Sequence, residues 1–146
     1  MNQHTLTRIL TYSGALPIIF FVLVKLFGRA DLLFINPERG LVLYSAVILS
    51  FLGGINFGFA IAEDLSKKLT SYLLISSILT AIFAFVILVV PGFEQALTLL
   101  IFGFAIQFVN DYFIKQDEII EEWFMNLRFW ATIVVLLFLL VASYQI

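Results

Sequence analysis

The sequence contains no cysteine and a single histidine, and both shortages limit its chemistry. Without cysteine, the chain can form no disulfide, thiolate nucleophile or thiolate metal site. The histidine is His4, beside the N-terminus, so no imidazole is available in the apolar part of the chain to bind haem or zinc or to relay protons. We therefore expect no metal and no redox cofactor.

Charged residues are also scarce. They make up 12% of the 146 residues, against 62% hydrophobic residues, and the mean hydropathy is +1.09. A soluble domain of this length needs more charge to cover its surface, so these values are typical of a membrane protein. The net charge of -2 and the lack of a basic stripe argue against a nucleic-acid partner. We predict a single all-α transmembrane domain over residues 1–146, with the lipid bilayer as its surroundings.

Long apolar stretches predict how often the chain crosses the bilayer. A helix needs about 20 apolar residues to cross about 30 Å of hydrocarbon. Five stretches meet this requirement, at about 6–28, 40–62, 69–90, 93–114 and 127–146. Asn36 and Pro37 are typical of a helix start, and Pro91-Gly92 indicates a turn between the third and fourth helices. Pro17 predicts a kink about one turn earlier, near Ser13-Gly14.

The ends and loops of these helices indicate the location of the protein. The first stretch is too long for the apolar part of a signal peptide and no small-residue cleavage site follows it, so we expect it to be retained. The few residues before it leave no room for an organellar transit peptide, which favours a bacterial inner membrane. Basic residues predict a cytoplasmic N-terminus and a periplasmic C-terminus. The cytoplasmic side would hold Arg8, Lys67, Lys68, Lys115 and Arg128, and the periplasmic side Lys25, Arg29 and Arg39.

The second predicted helix carries a small residue at every fourth position. These residues are Ala46, Ser50, Gly54, Gly58 and Ala62. On a helix they form a shallow groove, and such grooves let helices approach closely in lipid. We expect the groove to pack against another helix of the same chain, with a dimer contact as the alternative.

A different strip of the same helix is polar. Ser45, Asn56 and Glu63 fall within a narrow angular range, and Asn56 lies well inside the hydrocarbon. Asn56 would form an interhelical hydrogen bond or would line a path for a substrate or proton. We expect the hydrogen bond, with the polar path as the alternative.

The fourth predicted helix places Gly103, Gln107, Asn110 and Asp111 on one face. Asp111 is the only carboxylate inside a predicted span and away from its outer residues. Because an unpaired carboxylate near hydrocarbon is costly, we expect a pair with Arg128 that holds the fourth and fifth helices together. The alternative is a carboxylate that takes part in transport.

The segment before the fifth helix is amphipathic. Over residues 116–126, apolar side chains share one face and acidic side chains the other, which predicts a short interfacial helix. We expect the acidic face to be solvated, with docking of a basic partner as the alternative. The apolar face comprises Ile119, Ile120, Trp123 and Phe124, followed by Leu127.

The second helix also resembles a known family. The run from Tyr44 to Gly58 reads YSAVILSFLGGINFG and is similar to the signature of a family of multi-pass membrane proteins that includes the mitochondrial transmembrane protein 69. This chain shows Asn56-Phe57 where that family has a basic residue or histidine followed by tryptophan. The resemblance implies the fold but no activity, because the family carries a domain of unknown function. Further agreement lies at Gly14 with Pro17, at Gln107 with Asp111, and at Trp123-Phe124 with Leu127-Arg128.

These features support three hypotheses about function. The first is a non-enzymatic accessory, assembly or scaffold subunit that acts through helix packing, with another membrane protein or a second copy as partner. The second is a small oligomeric transporter or channel for a small solute or proton, with a polar path of Asn56, Gln107 and Asp111. The third is an enzyme acting on a lipid or quinone, which would need a nucleophile and base within reach, and no such pair stands out. We predict the first and expect no enzymatic activity.

Overall fold

A computed structural model describes residues 2–28, 36–89, 92–116 and 121–144 of the chain. All regular secondary structure within these ranges is α-helical. The helices are α1 (Gln3–Ser13), α2 (Leu16–Leu26), α3 (Pro37–Ala62), α4 (Lys67–Val89), α5 (Phe93–Gln116) and α6 (Glu122–Tyr144). Because α1 and α2 form one apolar segment, the described residues contain five segments long and apolar enough to cross a membrane. The predicted all-α bundle of five membrane-spanning segments is confirmed.

The first segment is interrupted at Gly14–Ala15, where α1 ends and α2 begins. Pro17 lies in the first turn of α2, where its missing N–H costs no hydrogen bond. The hydroxyl of Tyr44 on α3 donates to the carbonyl of Gly14 at 2.9 Å. The kink predicted from Pro17 therefore lies at this turn, and α3 contacts the backbone there.

The central element of the bundle is α3, which packs against α2, α4 and α5. It begins as predicted, since Pro37 is its first residue and the Asn36 side chain accepts a hydrogen bond from the N–H of Glu38 at 2.8 Å. Helix α6 closes the bundle through contacts with α1, α2 and α5. The main hydrophobic core lies between these helices and includes Leu49, Leu100, Phe104 and Leu139.

The predicted interfacial helix over 116–126 is wrong as a separate element. Gln116 is the last residue of α5, and Trp123 and Phe124 lie in the first turn of α6. The other two residues of the predicted apolar face, Ile119 and Ile120, lie outside the described residues.

The physical reason is visible at the start of α6. Neither proline nor glycine occurs between Glu122 and Leu127, so nothing in the backbone separates a surface helix from the spanning helix. Met125 and Leu127 are both buried against the bundle. Burial of these side chains favours a helix that enters the bundle at once over one that turns to lie in the interface.

Side-chain contacts show which helix ends lie together. At one end of the bundle the rings of His4 and Trp123 are 4.3 Å apart. At the other end Lys25 forms an ion pair with Glu38 at 3.1 Å and donates to the carbonyl of Ala142 at 3.2 Å. The N-terminus of α1 and the start of α6 therefore share one end, opposite to the start of α3 and the end of α6.

Candidate functional site

Four polar side chains meet inside the bundle near the end that contains the start of α6. We call Thr80, Gln107, Asp111 and Arg128 the polar cluster; they come from α4, α5, α5 and α6 respectively. Gln107 and Asp111 are one helical turn apart, so both point from α5 in the same direction. Each of these two side chains is about 1% exposed, and Arg128 is 5% exposed.

The cluster is held together by charge and hydrogen bonding. Nη2 of Arg128 lies 2.5 Å from Oδ2 of Asp111. Nε2 of Gln107 donates to the other carboxylate oxygen at 3.2 Å and lies 3.5 Å from the carbonyl of Leu52 on α3. The hydroxyl of Thr80 donates to the carbonyl of Ser76 at 2.9 Å and also lies 3.3 Å from Oε1 of Gln107. Both oxygens of Asp111 are thus engaged, and the cluster joins α3, α4, α5 and α6.

The Asp111–Arg128 pair is the one favoured by the sequence. Breaking a buried ion pair by removing one partner leaves an uncompensated charge at low dielectric, which costs about 3–5 kcal/mol. Each residue therefore requires the other, and together they fix how α5 packs against α6. This is a structural role that needs no solute.

Asn56 is buried close to this cluster but does not join it. It lies one turn beyond Leu52 on α3 and, like Ser45, is 0% exposed. Within the described part of the chain, neither the amide oxygen nor the amide nitrogen of Asn56 has a hydrogen-bond partner, and the Ser45 hydroxyl has none either. The interhelical hydrogen bond considered for Asn56 is therefore not formed in this part of the chain. Glu63, the third member of the predicted strip, is exposed at the end of α3.

The other two residues predicted on the polar face of α5, Asn110 and Gly103, contact other parts of the bundle. Asn110 points away from the cluster and accepts a hydrogen bond from the hydroxyl of Tyr72 on α4. Gly103 is a packing position, since a Cβ there would lie 2.6 Å from the Leu49 side chain. Only Gln107 and Asp111 of this set reach the polar cluster.

The small-residue groove of α3 faces outward over most of its length. Ala46 is buried and Ser50 is half-buried, but Gly54, Gly58 and Ala62 are exposed. A Cβ added at Gly54 or Gly58 would meet no atom within 4 Å. The prediction that this groove packs against another helix of the same chain is wrong for these three residues, and the alternative of a contact with a second molecule stays a prediction.

The close approach within the chain occurs one residue earlier, at Gly53. A Cβ at this position would lie 2.8 Å from Cβ of Thr80 and 3.3 Å from the carbonyl oxygen of Ser77, both on α4. The every-fourth-residue pattern did not identify Gly53, because it belongs to a different helical face. Gly53 faces the inside of the bundle and Gly54 faces outward. The sequence alone does not show which of these two adjacent glycines contacts a neighbouring helix.

Two cavities border α3. The first, of about 340 Å³, lies between α1, α3, α5 and α6 and reaches Arg128. The second is a shallow groove between α3 and α4, with Ser50, Gly54 and Ala81 on its walls. Neither cavity is lined by Asn56, Gln107 or Asp111. Among the residues that the structure describes, no three of His, Asp and Glu lie together in a way that could hold a metal ion.

Comparisons with known proteins identify a family but no activity. A family model described as "Protein of unknown function (DUF3429)" matches residues 3–144, which extends from the first residue of α1 to the last of α6. No curated protein matches the chain, and no solved structure matches it.

Proposed function

The chain belongs to the DUF3429 family, and we propose that it is a non-enzymatic accessory, assembly or scaffold subunit that acts through helix packing in the membrane. The proposal includes a bacterial inner membrane, with the N-terminus in the cytoplasm and the C-terminus in the periplasm. It also includes a relationship to the family of the mitochondrial transmembrane protein 69, on the strength of the run Tyr44–Gly58.

The observation that carries this proposal is that Asp111 is buried and fully occupied by contacts with the protein. Both carboxylate oxygens of Asp111 have partners on the protein, from Arg128 and Gln107. A side chain that transfers a proton or binds a solute must be accessible to that proton or solute. Asp111 is 1% exposed and lines neither cavity described above. These contacts support a structural use of Asp111.

The outer face of α3 supports the mode of action. Gly54 and Gly58 leave the helix backbone open to the surroundings, and the shallow groove continues from Gly54 onto Ala81 of α4. In lipid, association depends on close packing because the hydrophobic effect does not drive helices together. A helix of another membrane protein would gain close backbone contact along this face, and we name this partner class as the proposed occupant.

The test is co-purification of the full chain in mild detergent. We expect a foreign membrane protein at a fixed ratio to the wild-type chain. A double variant with Gly54→Leu and Gly58→Leu should lose that partner and still fold, because a Cβ added at either position meets no atom within 4 Å. Ala105→Leu, at an exposed position on α5, is the matched control and should retain it. Equal recovery of the partner with all variants, or a pure homo-oligomer in place of a partner, would contradict the proposal.

A second function has one observation in its favour. The unpartnered amide of Asn56 and hydroxyl of Ser45 on the inner face of α3 are what a polar path in an oligomeric transporter or channel would use. Liposomes containing the purified chain test this directly, with proton and small-solute flux as the readout. Flux above that of empty liposomes, lost in a folded Asn56→Leu variant, would replace the accessory proposal with this one.

A further inference from the structure

The cavity that reaches Arg128 has the form of a binding site for an elongated molecule. We call it the Arg128 groove; its volume of about 340 Å³ falls within the range of small-molecule sites, about 300–1,000 Å³. Its walls are mainly apolar, with Arg128 as the only charged residue among them. The apolar walls include Leu10, Ile48, Phe51, Ile55 and Val135.

Arg128 has hydrogen-bonding capacity that the protein does not use. A guanidinium carries five N–H donors. Nη2 contacts Asp111 and the Phe124 ring lies 5.8 Å from Cζ, whereas neither Nε nor Nη1 has a hydrogen-bond partner in the described ranges. Because Arg128 lines the groove, an acceptor oxygen bound there would engage the donors that Nε and Nη1 leave unused.

The charge of the site favours a neutral acceptor. Asp111 already balances the charge of Arg128, so an incoming anion would meet a site with no net charge and a carboxylate close by. A carbonyl oxygen needs only a spare donor. We therefore expect the ligand to present an uncharged oxygen to Arg128.

The position and length of the groove indicate what the remainder of the ligand is, beyond the oxygen that contacts Arg128. Its Arg128 end includes Thr7 and Phe124, one turn from the His4–Trp123 contact at the helix ends, where aromatic residues commonly meet lipid headgroups. On the α1 side, the groove continues from Thr7 to Ala15, which at 1.5 Å per residue is about 12 Å along the helix. The ligand thus has an acceptor near the interface and an apolar chain pointing into the bilayer.

We propose that the Arg128 groove binds one membrane phospholipid, with an acyl chain in the groove and its ester carbonyl oxygen accepting a hydrogen bond from Arg128. Phospholipid esters lie at the boundary between headgroups and hydrocarbon, which is the level of this end of the groove. This binding is independent of the accessory role, because the walls of the groove do not include Gly54 or Gly58.

Native mass spectrometry of the detergent-solubilised full chain tests the proposal without any substitution. The probes are dioleoylphosphatidylcholine and its ether-linked analogue, which has the same chains and headgroup but no carbonyl. We expect one ester lipid to remain bound per chain and the ether lipid to bind about tenfold more weakly. Equal retention of the two lipids would overturn the role of Arg128. Displacement of the ester lipid by equimolar decylubiquinone would assign the groove to a quinone carbonyl and overturn the phospholipid.

Variants that fill the groove provide a second, independent test. Ala131→Phe and Thr11→Phe would fill it from α6 and α1 respectively. Ala105→Phe, on the exposed side of α5, is the matched control. We expect both groove variants to lose the bound ester lipid and the control to keep it, with thermal unfolding confirming that each is folded. Retention of the lipid by both groove variants would overturn the proposal, even if partner co-purification behaved as expected.

Discussion

At the scale of single residues, the main feature is that charge inside the bundle is neutralised locally. Asp111 and Arg128 are both buried, and Gln107 completes the contacts of the carboxylate. Membrane interiors tolerate such groups only when they are paired or reach water. The pair therefore acts as a device that fixes the packing of α5 on α6, and its energetics can be tested by substitution.

Separate replacement of the two charges should be more harmful than joint replacement. Asp111→Asn leaves an unpaired guanidinium, and Arg128→Gln leaves an unpaired carboxylate. We expect each to reduce the free energy of unfolding by about 3–5 kcal/mol, and the double variant to recover much of that loss. Thermal unfolding in detergent measures the effect, with Glu63→Gln at an exposed position as control. A double variant as unstable as the sum of the singles would refute the pairing argument.

Replacement of Asn56, in contrast to replacement of Asp111 or Arg128, should not destabilise the protein. Its side chain is buried and both amide atoms are without partners in the described residues, so folding removes them from hydrogen-bonding surroundings without compensation. Asn56→Leu, which has the same branching and the same number of heavy atoms, should leave stability unchanged or raise it by about 1–3 kcal/mol. The same unfolding measurement applies. A clear loss of stability would mean that the amide has a partner beyond these side chains, such as a second copy of the chain or ordered water.

At the scale of elements, α3 organises the bundle because its two small-residue faces serve different surfaces. Gly53 allows close approach to α4, whereas Gly54 leaves an open surface on the outside. The inner face also carries Asn56 and the carbonyl of Leu52 that contacts Gln107. The rotation of this one helix therefore decides which residues are structural and which are available to a partner.

Adjacent alanine substitutions test this rotation with a matched pair. At Gly53, a new Cβ would collide with the side chain of Thr80, and the carbonyl of Ser77 leaves it little room to move. At Gly54, the same methyl group enters open space, and helix propensity favours alanine over glycine by about 1 kcal/mol. We expect Gly53→Ala to lower the unfolding temperature and Gly54→Ala to leave it unchanged or raise it. The reverse order would show that the inner face of α3 is assigned incorrectly.

At the scale of the whole molecule, the helix ends separate into two groups. His4 and Trp123 lie at one end, while Lys25, Glu38 and Ala142 lie at the other. The five membrane-spanning segments then require that the α3–α4 connection and the start of α5 lie on opposite sides of the bilayer. Arg128, counted among the cytoplasmic basic residues, is buried in an ion pair, so it adds little to the loop charge that sets orientation.

Single introduced cysteines can determine the sidedness, because the chain has none of its own. Asp64→Cys lies between α3 and α4, and Glu94→Cys lies in the first turn of α5; both positions are exposed. With a membrane-impermeant maleimide on intact cells, we expect label at position 94 and not at 64. Inside-out vesicles should give the reverse. Label at both positions from the same side would contradict the five-span topology, and the opposite pattern would reverse the proposed orientation.

Much of the fold follows from local sequence. The lengths of the apolar stretches predicted the five segments, and Asn36-Pro37 predicted where α3 starts. The cost of a lone charge in hydrocarbon predicted a partner for Asp111 on the adjacent helix. The separate interfacial helix failed because tertiary burial of Met125 and Leu127, which local amphipathicity does not report, favours continuation into α6.

The sequence by itself determined the number of segments and favoured the pairing of Asp111 with Arg128, because apolar length and the cost of unpaired charge depend little on how helices are rotated. Only the tertiary structure decided that Gly53 faces inward and Gly54 outward, and that a groove ends at Arg128. Apolar and small residues lie on several sides of α3, so its own sequence gives only a weak preference for one rotation about its axis. The neighbouring helices supply that preference through packing.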